Sequence, residues 1–167
     1  MRLHVLICAA ALALATPAAA QYATPESVSI SPEFQTTLDE TLGAREGEIL
    51  RAAVARAVNA ELARRGANPN GVAIEITIVN ADPNRPTFQQ LSERPGLDPM
   101  RSISLGGAEL RAVLRNASGQ TIEEVSHRRY DRTLNELSGA ESTWSSAHRS
   151  IRRFASKVAD AYVAQSG

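Results

Sequence analysis

The most constraining feature of the sequence is a change in the spacing of apolar residues between positions 44–65 and 72–79. In the first segment the apolar side chains stand four residues apart, at Leu50, Val54, Val58 and Leu62. In the second they alternate with other residues, at Ile74, Ile76 and Ile78. The first spacing indicates an amphipathic helix, and the second indicates a strand with one buried face. The sequence therefore predicts a helix over 44–65, a turn at 68–71 and a strand over 72–79.

The flanking segments supply further strands. A first strand is predicted from apolar residues that alternate with serines, at Val28, Ile30 and Phe34. Pro32 interrupts it and cannot donate a backbone hydrogen bond, which favours a sheet edge or a strand exit. Two more strands are predicted over 103–115 and 120–130, and the turn residues at 116–119 would join them as a hairpin.

A second long helix closes the chain. Its apolar residues are spaced three or four apart, at Trp144, Ala147, Ile151, Phe154, Val158 and Ala161. The order is thus β-α-β-β-β-α, which predicts an α+β fold with a mixed sheet of about four strands and two helices on one face. Because a helix connects the first two strands, we expect that pair to be parallel.

Three local features refine this picture. The glycine pair at 106–107 predicts a bulge or kink in the first hairpin strand. Ile122 and Val125 are out of phase, so a bulge at 123–124 would bring both to the buried side. Trp144 is in phase with the apolar stripe of its helix, which favours core packing over an exposed anchor.

The first residues read as a cleavable signal peptide. Arg2 supplies a positive end, an apolar run follows over 3–15, and small residues at 18–20 precede Gln21. This order is typical of secretory signals, and the run is shorter than the roughly 20 residues of a membrane-spanning helix. We expect cleavage after Ala20 and a periplasmic or secreted protein, with no transmembrane span after removal of the signal.

Cleavage would leave a flexible lead-in over 21–27 and a single α+β domain over 28–165. Cys8, the only cysteine, lies inside the signal. The exported chain would therefore have no disulfide and no thiol nucleophile.

Few residues could carry catalysis. His127 and Asp131 stand four apart and would share one face of the last strand, but a metal site there would lack a third ligand. The sequence contains no G-x-S-x-G element and no phosphate-binding glycine loop. We therefore expect no catalytic residue, no metal and no cofactor, with a small hydrolase using His127 and Asp131 as the alternative.

The charges are balanced overall but unevenly distributed. The chain has 18 basic and 18 acidic residues, which gives no overall field to attract nucleic acid. Residues 101–167 are nevertheless net basic, and residues 21–100 are net acidic. Part of the basic excess lines the last helix, at Arg149, Arg152, Arg153 and Lys157. This face could bind an anionic envelope polymer or lipid, but a solvated face paired with nearby carboxylates is the favoured interpretation.

The proline-rich segment 82–100 is a second candidate partner surface. It is predicted as a long loop, and long loops in compact domains are usually functional or disordered. Its apolar residues would either fold back onto the sheet or meet a partner: Phe88, Leu91, Leu97 and Met100.

The element order and the hairpin segment 108–122 carry a resemblance. This segment reads AELRAVLRNASGQTI, a strand, a turn ending in Ser-Gly-Gln and a second strand. It resembles the periplasmic domains of curli-secretion and penicillin-binding-protein-activator lipoproteins. The resemblance implies a small α+β domain that acts by assembly or contact, without catalysis. Asn116 stands where aspartate is usual, and a lipid-bearing cysteine is missing, which argues against outer-membrane anchoring.

These observations favour an exported binding or scaffold domain whose partner is an envelope protein or an anionic envelope polymer. A lipid- or lipopolysaccharide-binding protein is a further alternative, and it would need an apolar cavity between helices and sheet. No nucleic-acid partner is expected, and the sequence leaves the oligomeric state open.

Overall fold

The computed structural model describes Ala23 and residues 27–67, 71–137 and 142–165. The predicted signal peptide and most of the predicted lead-in lie outside the described residues. The elements are β1 (Val28–Ile30), α1 (Pro32–Thr37), a π-helical turn (Leu38–Leu42), α2 (Ala44–Arg64), β2 (Ala73–Asp82), α3 (Phe88–Glu93), β3 (Gly107–Arg115), β4 (Thr121–Tyr130), a 3-10 turn (Leu134–Leu137) and α4 (Ser145–Ala164).

The four strands form one mixed sheet in the order β1-β2-β3-β4. β1 runs parallel to β2, with Val28 opposite Ile76, whereas β2–β3 and β3–β4 are antiparallel. The connection from β1 to β2 contains α2, and such a crossover is what a parallel pair requires. The predicted α+β fold with a four-stranded mixed sheet is confirmed, and two short helices, α1 and α3, add to the two predicted ones.

The core lies between one face of the sheet and the helices α2 and α4. α2 buries the predicted stripe, and α4 buries its own, including Ile151, Phe154 and Val158. The strands contribute alternate residues, at Ile74, Ile76, Ile78, Leu110, Ala112 and Leu114. The two apolar periods of the sequence therefore meet in one interior, and Trp144 is buried there as predicted, at 3% exposure.

The opposite face of the sheet is polar. Three ion pairs cross it between neighbouring strands: Arg115–Glu75 at 2.9 Å, Arg111–Glu124 at 2.6 Å and Arg128–Glu109 at 3.2 Å. Exposed pairs of this kind contribute at most about 1 kcal/mol each. They favour the observed register, because a slip would place other side chains opposite one another.

β1 is shorter than the predicted first strand because Pro32 begins a helix. The Ser31 hydroxyl accepts a hydrogen bond from the backbone N–H of Phe34 at 3.2 Å and caps α1. Proline suits the first helical turn, where an N–H would lack a partner. Phe34 is therefore buried from α1 and does not belong to the strand. The expectation that this strand lies at a sheet edge is confirmed.

The predicted long loop over 82–100 contains a short helix, α3, at residues 88–93. The Thr87 hydroxyl accepts the N–H of Gln90 at 3.3 Å, and the Gln90 side chain accepts the N–H of Thr87 at 3.0 Å. This reciprocal capping box starts the helix. Its T-x-x-Q signature was readable in the sequence.

The glycine pair at 106–107, where we predict a bulge or kink inside a strand over 103–115, marks the start of β3, and residues 103–106 lie outside the strand. Gly107 itself pairs regularly, with Asp82 on one side and Tyr130 on the other. A Cβ atom on Gly107 would lie 2.3 Å from the Arg129 carbonyl oxygen. Glycine is thus needed there because two strands approach closely.

In β4 the bulge falls one residue before the predicted position. Leu114 pairs with Glu123, and Arg115 pairs with Thr121, which leaves Ile122 as the extra residue. Ile122 packs against the core and Val125 is buried, so the predicted consequence of the bulge is observed.

One described residue of the predicted lead-in is hydrogen-bonded to α2. Ala23, in the predicted lead-in, donates its N–H to the Asn59 side chain at 3.1 Å and accepts from it at 2.6 Å, which ties this residue to α2.

None of the helices in the described residues is long and apolar enough to cross a membrane.

Candidate functional site

Buried polar side chains gather where β2 and β4 end and α4 begins. Asn84, Asp131 and Ser146 are at most 5% exposed, and Arg149 reaches them from α4. We call these four residues the anchor network. Burying such groups is costly unless they are hydrogen-bonded, so their partners determine how this end of the domain is held.

Asn84 joins three segments of the chain. Its side-chain oxygen accepts the N–H of Ser146 at 2.8 Å, and its amide nitrogen donates to Asp131 at 3.3 Å and to the Ser104 carbonyl at 3.2 Å. Its backbone N–H donates to the Thr143 carbonyl at 2.7 Å, and its carbonyl accepts the N–H of Ser104 at 2.9 Å. The loop after β2 is thereby fixed to the residues before β3 and to α4.

Asn84 also serves as a remote cap for α4. Trp144, at the N-cap position, makes no side-chain capping bond. The N–H of Ser146 in the first turn would therefore be a buried donor without a partner. Because Asn84 supplies the acceptor from an earlier segment, loop and helix cannot separate without exposing that donor.

Asp131 is the charged centre of the network, and its side chain is 1% exposed. It accepts hydrogen bonds from the Ser146 hydroxyl and, at 3.1 Å, from Arg149. Arg149 also donates to the Glu136 carbonyl at 3.2 Å. A buried carboxylate is tolerated when it has such a charged and hydrogen-bonded set of partners. The bonds hold the segment after β4 against α4.

Segments held by the anchor network form, together with α3 and the residues after it, a groove of about 630 Å³ at this end of the sheet. We call it the end groove. Its wall combines apolar and charged residues: Asp82, Pro83, Pro86, Gln90, Arg94, Leu97, Arg101, Ser102, Ile103, Ser104 and Leu105. A second hollow of about 650 Å³ shares Arg101 and Ile103 with it and extends to Leu134 and Leu137.

Large apolar side chains are exposed around these two hollows. Met100 is 71% exposed and Leu134 is 68% exposed, and Ile103 and Leu105 are also exposed. Most of the large hydrophobic residues exposed in the described chain thus lie at one end of the fold. A clustered apolar patch on a fixed scaffold is typical of an interaction site, whereas single exposed residues are not.

The charges of the end groove are partly unpaired. In the described part of the chain, the Arg94 and Arg101 guanidinium groups form no ion pair. Asp82 lies at the same groove, and burial raises the pKa of its carboxyl. Burial, together with the nearby carboxylates of Asp82 and Glu109, raises the pKa of Tyr130 to about 12. Two cations beside apolar walls, with no ion-pair partner among the described residues, suit a ligand that carries both carboxylate and apolar groups.

The four apolar residues predicted for a partner surface have different positions. Leu97 lines the end groove and Met100 lies exposed beside it. Leu91 is half-buried on α3. Phe88 is 83% exposed but lies at another hollow, beside Ile49 and the residues that open α2. Sequence reasoning missed Ile103, Leu105 and Leu134, because isolated apolar residues in irregular segments show no periodicity.

The predicted basic face on α4 does not include Arg149. Its guanidinium is turned inward to Asp131, because the buried carboxylate needs a cation. Arg152, Arg153 and Lys157 are exposed. Lys157 donates to the Ser126 carbonyl at 3.3 Å. Among the described residues no acidic side chain pairs with these three cations, so the pairing that we favoured for this face is found only at Arg149.

Both described histidines lie among cations. Burial and the charges of Lys157, Arg153 and Arg129 lower the pKa of His127, and its Nε2 atom is buried with no hydrogen-bond partner among the described residues. Burial and the charges of Arg152 and Arg56 lower the pKa of His148. His148 lines a groove between α2 and α4. Both imidazoles are therefore biased towards the neutral form.

The carboxylate of Asp131 is already engaged by the anchor network, as the hydrogen bonds above show. Within the described residues, no group of three or more His, Cys, Asp or Glu side chains could hold a metal ion.

Comparison with known proteins adds no assignment. No protein-family model matches the chain, and no curated protein or solved structure shows significant similarity to it.

Proposed function

We propose that this chain is an exported, non-catalytic binding or scaffold domain of the cell envelope, and that the end groove with its adjoining hollow docks a protein partner. The observation that carries the proposal is the cluster of exposed apolar side chains held in place by the anchor network. A rigid surface loses little entropy on binding, which favours affinity.

The chemistry of the surface favours a partner segment with apolar and acidic side chains. Ile103, Leu105 and Leu134 offer apolar contact area. Arg94 and Arg101 offer bidentate donors for carboxylates, and such charge-assisted bonds are strong when water is excluded. Apolar anchors surrounded by polar groups are the usual anatomy of a protein interface.

A site-specific photo-crosslinker in cells tests this proposal. With the probe at Met100 or Leu134, we expect one envelope protein to be captured, through a segment rich in acidic and apolar residues. The same probe at Ser118, on the exposed hairpin turn, is the matched control. Arg101→Glu should abolish capture at both test positions. If the probe at Ser118 captures the same protein equally well, or if Arg101→Glu leaves capture unchanged, the proposal is wrong.

The export part of the proposal has its own test. The intact mass of the protein recovered from the periplasm should correspond to a chain that begins at Gln21. A mass that includes residues 1–20 would contradict cleavage at the predicted site.

A second candidate function is binding to an anionic envelope polymer or membrane through α4. It is favoured by the guanidinium groups of Arg152 and Arg153, which have no acidic partner in the described part of the chain, and by Arg56 nearby on α2. Sedimentation with anionic vesicles should be lost at high salt and in the Arg152→Gln, Arg153→Gln, Lys157→Gln variant. If this variant and the parent protein sediment equally, the basic face of α4 is excluded as the binding surface.

A further inference from the structure

β4 is a long strand with only one neighbour among the described strands. It spans ten residues, Thr121–Tyr130, and pairs with β3 on one side. The opposite edge of the sheet is β1, which has three residues. A long open edge presents unpaired backbone donors and acceptors and is a template for another strand.

The direction of the backbone groups on this edge can be read from two hydrogen bonds. The Ser126 carbonyl accepts from Lys157 at 3.3 Å and so points away from β3. Asp131 donates its N–H to the Gly106 carbonyl at 2.8 Å and so points towards β3. It is separated from Ser126 by an odd number of positions, so the two residues point to opposite sides. Along an antiparallel strand, the N–H and C=O groups of one residue point to one side and those of the next residue point to the other side. The backbone N–H and C=O groups of Glu124, Ser126 and Arg128 therefore point away from β3.

The order of charges along β4 is self-complementary. We propose that two copies of this chain associate through their β4 edges, antiparallel and with a two-fold axis at Ser126. In this register Glu124 lies opposite Arg128 of the second copy, and Glu123 lies opposite Arg129 of the second copy. The two-fold axis repeats each pair. Opposite charges on directly facing residues stabilise a strand pair.

The neighbouring registers are less favourable. With the axis at Glu124, that residue would face itself, and with the axis at Arg128 two guanidinium groups would face each other. Like charges directly opposite each other destabilise a sheet. The axis at Ser126 places a small neutral residue at the centre and keeps the outward backbone groups of both strands in phase.

Two features oppose the association and limit its strength. Lys157 must leave the Ser126 carbonyl, although a single exposed contact of this kind is weak. Glu124, Arg128 and Arg129 also have ion-pair partners inside the chain: Arg111, Glu109 and Glu136. These exposed pairs can be shared with the second copy, and we expect a concentration-dependent dimer.

The dimer uses a surface separate from the end groove, so it does not depend on the proposed function. It would join two four-stranded sheets into one eight-stranded sheet with an end groove at each of two opposite ends. A scaffold with two docking sites could engage a repeated partner with increased avidity.

Charge reversal tests the proposal by analytical ultracentrifugation of the exported protein over a range of concentrations. Glu124→Arg and Arg128→Glu should each raise the dimer dissociation constant roughly tenfold or more. The double variant should restore the dissociation constant of the parent protein. Within one chain, this variant places a second positive charge beside Arg111 and a second negative charge beside Glu109, so the restored dissociation constant cannot come from intrachain ion pairs. Glu75→Arg, on the same sheet face but in β2, is the control and should have no effect.

A disulfide measurement keeps the test informative if a reversed variant fails to fold. With Cys8 changed to Ser, Ser126→Cys should form a disulfide-linked dimer on mild oxidation, because facing residues lie about 5.5 Å apart in such a pair. Ser118→Cys, at the far end of the hairpin, should stay monomeric. A protein that is monomeric at every concentration, a dimer indifferent to charge reversal, or equal crosslinking at both positions would overturn the proposal. Binding of an acidic extended peptide to the β4 edge of a monomeric protein would also overturn it.

Discussion

The side-chain oxygen of Asn84 accepts a hydrogen bond at 2.8 Å from the backbone N–H of Ser146, in the first turn of α4. The two residues are distant in the sequence, and both are buried. One side chain therefore closes a helix end and fixes the loop that forms the end groove. Its contribution to stability and its contribution to the proposed docking surface should be measurable together.

Asn84→Ala should lower the free energy of unfolding by about 2 kcal/mol, since it removes a helix cap and leaves buried donors without acceptors. Urea denaturation measures the change. Asn135→Ala, at an exposed residue of the adjoining hollow, is the control and should change stability little. If Asn84→Ala unfolds at the same urea concentration as the parent protein, the remote cap is unimportant.

Asp131→Asn should also destabilise the domain by about 2 kcal/mol or more, because Arg149 then loses its buried counter-charge. Adding Arg149→Met to this variant should recover part of the loss, since no unpaired cation remains. Asp160→Asn removes a carboxylate that is 66% exposed, and it should cost much less. A double variant that is less stable than Asp131→Asn alone would show that the hydrogen bonds of Arg149 to Ser146 and to the Glu136 carbonyl matter more than its pairing with Asp131.

Regular periodicity explains which parts of this fold could be predicted. Val54 and Ile76 belong to unbroken stripes, so their burial followed from spacing alone. Pro32 and Thr87 are start signals for short helices, but in the sequence Pro32 also fits a strand interruption and Thr87 also fits a loop. Local signals of this kind compete with strand and loop patterns that are equally short.

The anchor network lies beyond such reasoning. Asn84 sits in the sequence Asp-Pro-Asn-Arg-Pro, which predicts a turn and nothing about burial. The spacing of Asp131 and His127 predicts that they share a strand face, whereas the structure pairs the Asp131 carboxylate with Ser146 and Arg149 of α4. Arg149 has the same spacing as the exposed cations of its helix, and only the position of the Asp131 carboxylate distinguishes it. Contacts between distant segments set these roles, and no single-sequence period encodes them.

The two histidines make stability depend on pH. The pKa of each is lowered below its ordinary value of 6.5 in the folded protein, so near this pH the unfolded chain binds more protons. Stability should be highest above the unfolded-state pKa and should fall as the pH drops below it. Urea midpoints between about pH 7.5 and 5.5 measure the slope. The His127→Gln, His148→Gln variant should have a flatter profile, and an unchanged slope would assign the effect to other groups.

Gly107→Ala should be strongly destabilising. The added Cβ would lie 2.3 Å from the Arg129 carbonyl oxygen and 2.6 Å from the Tyr130 Cα atom, both backbone atoms of β4. Because backbone cannot swing away as a flexible side chain can, β3 and β4 must separate at this end, at a cost of about 3 kcal/mol. Gly96→Ala is the matched control, since a Cβ there meets nothing within 4 Å. Thermal melting of both variants decides the point: similar melting temperatures would mean that the two strands are not as closely packed at Gly107 as the structure shows.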